Sequence, residues 1–291
     1  MNKIDYIELG GTLFIQSTHK DLEAVVSGEK YLNLKSLVID TEDGIAKDEL
    51  IEGVLNIRNL LQNLQKSNTA VFIRPRDVVV LRTLLGFENI EKIDGFILPK
   101  FSLSNANEYL NELKDTLFMV MPSIEGVELF NQVKLRALCD LLLQHKERIL
   151  LIRFGLEDML RQLKMRRECH DNIFDISAPA SVLGNFIAIF KSAGFQVSGG
   201  VYPCYKDFKG FVDDVRRDLK EGLISKTIIH PNQIDLLNKE YKVSQREFDE
   251  ALEISTELNA VFAQNAKMAE TTTMTPWAQE IIKRAEVYGI K

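Results

Sequence analysis

Two acids could do chemistry together. Glu125 closes the apolar run LFMVMPSIE, and Asp158 opens the helical segment LEDMLRQL just after RILLIRFG. Mg²⁺ prefers oxygen ligands near ~2.1 Å, keeps several waters, and takes one or two protein carboxylates plus oxygens from a substrate. Glu125 and Asp158 are therefore the metal candidates, for Mg²⁺ or for Mn²⁺ in its place. Other apolar runs also end on charge. SLVIDTED ends on Asp40, Glu42 and Asp43, AVFIRPR on Arg74 and Arg76, and GFILPK on Lys100. Strand side chains alternate, so Asp40 and Glu42 share a face, as do Phe72, Arg74 and Arg76. Arginines in such a ring suit an anionic substrate, because a guanidinium grips a carboxylate with two parallel bonds and an ammonium does not.

The elements that must position these residues are eight strand-length apolar runs, beginning at Thr12, Ser36, Ala70, Gly95, Leu117, Arg148, Phe195 and Lys226. Their continuous apolar character fits parallel strands covered on both faces. Segments with helical spacing lie between them, including Glu49 to Lys66 and Val127 to Lys146. Eight strand-then-helix units predict an α/β fold, the TIM (β/α)8 barrel, whose chemistry collects at the carboxyl ends of the strands. Residues 1–243 are expected to form the barrel and 244–291 a C-terminal helical appendage. Within it Ser244 to Met268 reads as one long helix, the Thr-rich TTTMTP as a linker, and the segment from Trp277 as a short final helix.

Composition narrows the class. With 291 residues, 45% of them hydrophobic, the chain can bury a large core, and a net charge of −6 offers no broad basic surface for nucleic acid or an anionic membrane. Cys139, Cys169 and Cys204 are odd in number and widely spaced, which predicts reduced thiols rather than a disulfide framework. MNKIDYIELGG lacks the apolar core of a signal peptide, and no apolar run reaches the ~20 residues that cross a bilayer. A cytoplasmic protein is the expectation.

The order of these motifs resembles one family. VIDTEDGI, ILPK, the IE of PSIEG, FGLEDMLRQLKMRRE, GGVYP and TIIHPNQIDLLN are together similar to the citrate lyase beta-subunit and malyl-CoA lyase family of TIM-barrel carbon–carbon lyases. The resemblance covers nearly the whole chain. It implies Glu125 and Asp158 as Mg²⁺ ligands and a small anionic substrate, a 3-hydroxy acid or its thioester with coenzyme A or a carrier protein. It further implies Arg74, Glu42, Asp40, Lys100 and Glu270 as catalytic candidates, and Arg74, Arg76, Gly126 and Pro203 around the substrate. A homo-oligomer, trimer or hexamer, is implied too. The base that takes the substrate hydroxyl proton is open among Glu42, Glu270 and a metal-held water.

Departures from the family pattern bear on the substrate. Strand 3 of the family reads V-R-V-N-P; Phe72 stands at the arginine position and Arg74 at the asparagine, which would move a bound anion by roughly 7 Å at the ~3.3 Å strand rise. In this respect the chain is similar to a divergent branch of such lyases found beside tellurium-resistance genes. Gln16, Ser17 and Thr18 replace a P-G turn, Gly199 replaces an aspartate, and AKMAETTTMTP replaces the terminal G-K-M-x-D-x-P. Two other functions stay open: an inert metal-pocket barrel that binds a ligand or serves assembly, and a phosphoenolpyruvate-utilising enzyme.

Several of these residues also have plain structural uses. Asp43 suits a helix start, Lys100 a salt bridge with Glu42, and His230 a helix cap. Tyr202 and the cysteines read as packing, and KMRRE as a solvated helix face.

Overall fold

The computed structural model describes residues 4–65, 67–265 and 267–291. Lys66, the end of one segment read as helical, and Ala266, inside another, lie outside the described residues. The chain divides into two compact units, one running to Ile234 and the other Asp235–Lys291.

In the first unit, seven strands form one parallel sheet: β1 (Thr12–Gln16), β2 (Ser36–Asp40), β3 (Ala70–Arg74), β4 (Gly95–Leu98), β5 (Met119–Ile124), β6 (Arg153–Phe154) and β7 (Thr227–Ile228). Their order is β6-β5-β4-β3-β2-β1-β7. The run from Phe195, expected as a full strand, makes only two isolated bridges, Val197 with Ile152 and Ser198 with Ile224. Gly199 and Gly200 follow, and a Cβ on Gly199 would stand 2.2 Å from the Asp218 carboxylate. Glycines forced by close approach weaken a strand interior, so pairing stops there.

Helices follow the strands: α1 (Leu22–Val26), α2 (Leu50–Asn63), α3 (Val78–Leu85), α4 (Ala106–Leu113), α5 (Gln132–Leu143), α6 (Leu156–Leu163), α7 (Ser177–Ser192), α8 (Phe208–Lys220) and α9 (Asn232–Tyr241). Val38, Ala70, Phe72, Ile97, Met121 and Leu151 pack into a core cluster. In register, Val38 pairs with Phe72 and Asp40 with Arg74, so each polar residue stands one inward-facing step above an apolar one. The cluster forms the floor on which the site is built.

The second unit departs from the sequence expectation. α10 (Gln245–Thr256) ends twelve residues short of Met268, and an antiparallel hairpin follows, β8 (Val261–Gln264) with β9 (Lys267–Glu270). The Glu257 carboxylate accepts from the Asn259 backbone and side-chain amides, a local bond that competes with helix continuation. Asn265 then takes φ +48°, a left-handed turn conformation that asparagine tolerates. The Gln264 side chain donates to the Glu250 carbonyl and the Glu253 carboxylate, tying the hairpin to α10.

TTTMTP is not a linker. α11 (Thr271–Tyr288) begins within it and runs through Pro276, its sixth residue, at the cost of one backbone bond. α10 and α11 bury Ala251, Ile254, Ala278 and Ile281 between them. The cysteine expectation also fails: Cys169 and Cys204 form a disulfide, and only Cys139 is a free, buried thiol. Spacing gave no hint of it, because the loops after α6 and after Ser198 meet only through the fold. Among the described residues no helix is long and apolar enough to cross a membrane.

Candidate active site

A cavity of about 720 Å³ opens at the carboxyl ends of the strands, lined among others by Phe14, Asp40, Arg74, Glu125, Arg153 and Asp158. β5 carries Glu125 to its rim, and the residue is only 5% exposed. Gly155 is why α6 can approach: a Cβ there would lie 2.2 Å from the Glu125 Cβ. The helix therefore starts directly beside Glu125, and Asp158 in its first turn hydrogen-bonds the Glu125 carboxyl. Gln162, one turn further on, donates to the Glu125 carbonyl at 2.6 Å and locks the two elements together.

Burial, and then the Asp158 carboxyl, push Glu125 up to about 8; the backbone N–H of Lys100, 2.6 Å from Oε1, pulls the other way. Asp158 is held below its usual range, because its bonds to Glu125 and Arg161 outweigh its burial. Two carboxyls sharing a proton in a buried cavity are a poor arrangement in isolation and a good one for a divalent cation. Among the described residues, no group of three or more His, Cys, Asp or Glu gathers as a metal cage. A two-carboxylate site fits Mg²⁺, which completes its shell with water and substrate.

Beside this pair lies a second charged cluster. Arg74 donates to Asp40 through Nε (2.7 Å) and Nη2 (2.6 Å) and lies 3.0 Å from Glu42 through Nη1. Asp40 also accepts the backbone N–H groups of Glu42 and Gly44, each at 3.0 Å. The acids that end β2 thus organise their own loop and seat Arg74. Glu42 bonds Lys100 as well, and its pKa is raised by burial, which outweighs both cations. Lys100 adopts φ +48° and reaches Asp43 at 3.1 Å.

The remaining expected residues are distributed around and away from this centre. Arg76 bonds the carbonyls of Thr41, Glu42 and Ile45 and clamps the β2–α2 loop. Gly126 follows Glu125, where a Cβ would meet the Glu128 carboxylate at 2.7 Å. Arg76, Gly126 and Pro203, and also Glu42 and Lys100, are not among the cavity-lining residues. His230 lines the cavity and stacks on Tyr205 at 4.6 Å. Gln233 accepts from the Ile229 N–H at 2.9 Å and donates to the Tyr202 carbonyl. Glu270 ends β9 in the second unit, exposed to solvent. Tyr202 is buried, bonded to Asp207 and covered by Arg167, which fits packing.

KMRRE is not wholly a solvated face: α6 ends at Leu163, and Arg167 is buried against Asp214. Arg153 was absent from the sequence expectations. It is 3% exposed, donates to the hydroxyls of Thr12 and Thr227, and faces the ring of Phe14, as Arg74 does. The signal was present in RILLIRFG, where one charge interrupts a buried run at the inward-facing step above Leu151.

The family model described as C-C bond lyase of the TIM-barrel fold matches residues 3–290. The chain is 30% identical over 152 residues to citrate lyase subunit beta of Escherichia coli K12, covering 50% of this chain and 48% of that protein. That match spans about half the relative's length. It is 24% identical over 261 residues to mitochondrial citramalyl-CoA lyase of Homo sapiens, covering 82% and 72%. The crystal structure of protein CitE from Mycobacterium tuberculosis, in complex with magnesium, acetoacetate and coenzyme A, superposes with a TM-score of 0.71 at 19% identity. It covers 95% of this chain and 98% of that one, and shows the shared fold.

Proposed function

Because the chain belongs to the family of C–C bond lyases of the TIM-barrel fold, we propose that it is a Mg²⁺-dependent carbon–carbon lyase for short 3-hydroxy acids or their acyl thioesters. The observation that carries this reading is the buried Glu125–Asp158 carboxyl pair, set beside Arg74 in one cavity. Mg²⁺ held by the pair supplies Lewis-acid polarisation of a substrate oxygen and a fixed template.

The chain's own residues do the rest. In the cleavage direction a base takes the hydroxyl proton, the carbon–carbon bond breaks, a carbonyl forms, and the electron pair passes into an enolate that is then protonated. Glu42 is the candidate base of the first unit: it is buried with a raised pKa, and it meets the cavity only through Arg74, which its carboxylate adjoins, since it is not itself a lining residue. Arg74, whose three nitrogens are engaged by Asp40 and Glu42, lines the cavity as a fixed guanidinium and adds positive potential where the enolate would develop. Lys100 contributes a backbone N–H to Glu125 and its ammonium to Glu42, so it ties the two clusters into one unit.

The same reading takes residues 1–243 as the catalytic barrel and 244–291 as a C-terminal extension. It also holds for coenzyme A or carrier-protein thioesters, for a homo-oligomer and for cytoplasmic residence, all supported by resemblance. The Cys169–Cys204 bridge pulls the other way on location, since disulfides are uncommon in reducing compartments.

A second reading, a barrel that keeps the pocket but has lost turnover, is favoured by Phe72, fully buried in the core where the family places an arginine. Purified protein with Mg²⁺, offered citramalyl, malyl and citryl thioesters and the free acids, separates the two. Turnover of any supports the lyase; turnover of none, with Mg²⁺ bound, supports the binding subunit.

A further inference from the structure

Arg153 has no part in the mechanism above, yet it is a buried cation on the wall of the same cavity. Holding a guanidinium out of water costs several kcal/mol unless oriented groups replace the lost hydration. Here Nη1 donates to the Thr227 hydroxyl at 3.0 Å and Nη2 to the Thr12 hydroxyl at 2.7 Å. Thr12 is in turn bonded to the hydroxyls of Ser36 (3.0 Å) and Ser225 (3.3 Å), so the fork rests on a hydroxyl network. Hydroxyls can rotate to donate or accept. Of these groups Arg153 and Thr227 line the cavity, so a carboxylate arriving there meets the guanidinium beside one hydroxyl.

Position adds a length. Parallel pairing sets Ser123 of β5 against Arg153 of β6, and Ser123 also lines the cavity. Glu125 is two residues beyond Ser123, so the Arg153 backbone stands roughly 7 Å further down the barrel at the ~3.3 Å strand rise, and its guanidinium extends from there to Thr12 and Thr227.

We propose that Arg153 anchors a second carboxylate on the substrate. The site then takes short dicarboxylic acids whose other end, a 2-oxo or 2-hydroxy acid group, lies at Glu125 and Asp158. This rests on the metal reading of those two acids. It makes Arg153 the residue that sets preference for a dicarboxylate over a monocarboxylate, with the two threonines holding its fork.

Oxaloacetate and pyruvate form a matched pair of probes, since both carry the 2-oxo acid end and only oxaloacetate carries a distal carboxylate. Calorimetric titration of each, freshly dissolved, into the Mg²⁺-loaded full-length protein tests the proposal without needing turnover. Wild type is expected to bind oxaloacetate more tightly than pyruvate. Arg153→Met should weaken oxaloacetate by about tenfold or more, the scale of a lost charged hydrogen bond, and leave pyruvate and Mg²⁺ binding unchanged. Arg153→Lys keeps the charge but loses the fork, and a smaller loss for oxaloacetate alone is expected; it carries the test if the methionine variant does not fold. Equal weakening of both acids, no effect on either, or no oxaloacetate binding to wild type overturns the assignment. Selective oxaloacetate binding that depends on Arg153, with no turnover of any thioester or acid, leaves Arg153 in place and removes the lyase reading instead.

Discussion

The carboxyl of Glu125, at the end of β5, hydrogen-bonds the carboxyl of Asp158, in the first turn of α6, across a passage that only a glycine at position 155 leaves open. Burial of one acid against the other is unfavourable for the empty protein and favourable for a protein holding a divalent cation. Most of what the site is expected to do follows from that contact.

The pair makes Mg²⁺ binding proton-coupled. With Glu125 held at about 8, the carboxyl is largely protonated at neutral pH and must release its proton to bind metal. Apparent Mg²⁺ affinity should rise toward pH 8 by up to about tenfold per unit and level off above it. Calorimetry in two buffers of different ionisation enthalpy should report close to one proton released at pH 7. The folded-state pKa lies above the unfolded one, so Glu125 stabilises the metal-free protein fully below about 4.5 and loses that contribution as pH rises through about 8. Without proton release, the shared-proton geometry is wrong.

Gly155→Ala tests the passage itself. The new methyl would overlap Glu125, and displacement of α6 should cost about 1–3 kcal/mol of stability. Mg²⁺ affinity should fall with it, because Asp158 moves with the helix. Urea unfolding paired with Mg²⁺ titration checks both; an alanine variant with unchanged Mg²⁺ binding refutes the role given to the glycine.

Lys226 is buried between Asp214 (2.6 Å) and Asp218 (2.7 Å), with Arg167 on the far side of Asp214. Removing the ammonium leaves two buried carboxylates, so Lys226→Met should destabilise by about 3–5 kcal/mol. Burial pushes Asp218 up to about 7 against the pull of Lys226. Its contribution to stability is therefore complete below its unfolded value near 3.8 and is lost as pH rises through about 7. Asp218→Asn should remove that decline, which chemical denaturation at a series of pH values would reveal.

The bridge between Cys169 and Cys204 closes a sequence separation of 35. A loop of that length is worth at most about 4 kcal/mol by chain entropy. Arg167 with Asp214, and Tyr202 with Asp207, already hold the same segments, so the measured loss on reduction should be smaller. Thiol titration in denaturant should count one thiol without reductant and three after it; three at the outset would remove the bridge.

Much of this was legible in the sequence because it depends on local pattern. Continuous apolar runs predicted parallel strands, and the charges that end them marked the mouth, so Asp40, Glu42, Arg74, Lys100, Glu125 and Asp158 could be named from spacing. Their partners could not. Whether Arg74 faces substrate or Asp40 depends on register between strands, which a single chain does not display. The hairpin after Thr256 was hidden because EALEISTELNAVFAQNAKM keeps helical spacing of apolar residues, and one side-chain bond at Glu257 decides against it. Arg153 was passed over because an arginine within RILLIRFG reads as a strand end until pairing with Ser123 turns it inward. The disulfide joins two loops whose meeting depends on the whole sheet.

The central claim is that Glu125 and Asp158 share one divalent ion, and the most direct measurement is anomalous diffraction from crystals soaked in Mn²⁺. The account predicts one strong peak between the two carboxyl groups, near the ~2.1 Å metal–oxygen distance of a hard cation site. It also predicts loss of that peak in Glu125→Gln crystals. A peak bound elsewhere, or one that persists unchanged in the Glu125→Gln variant, would contradict it.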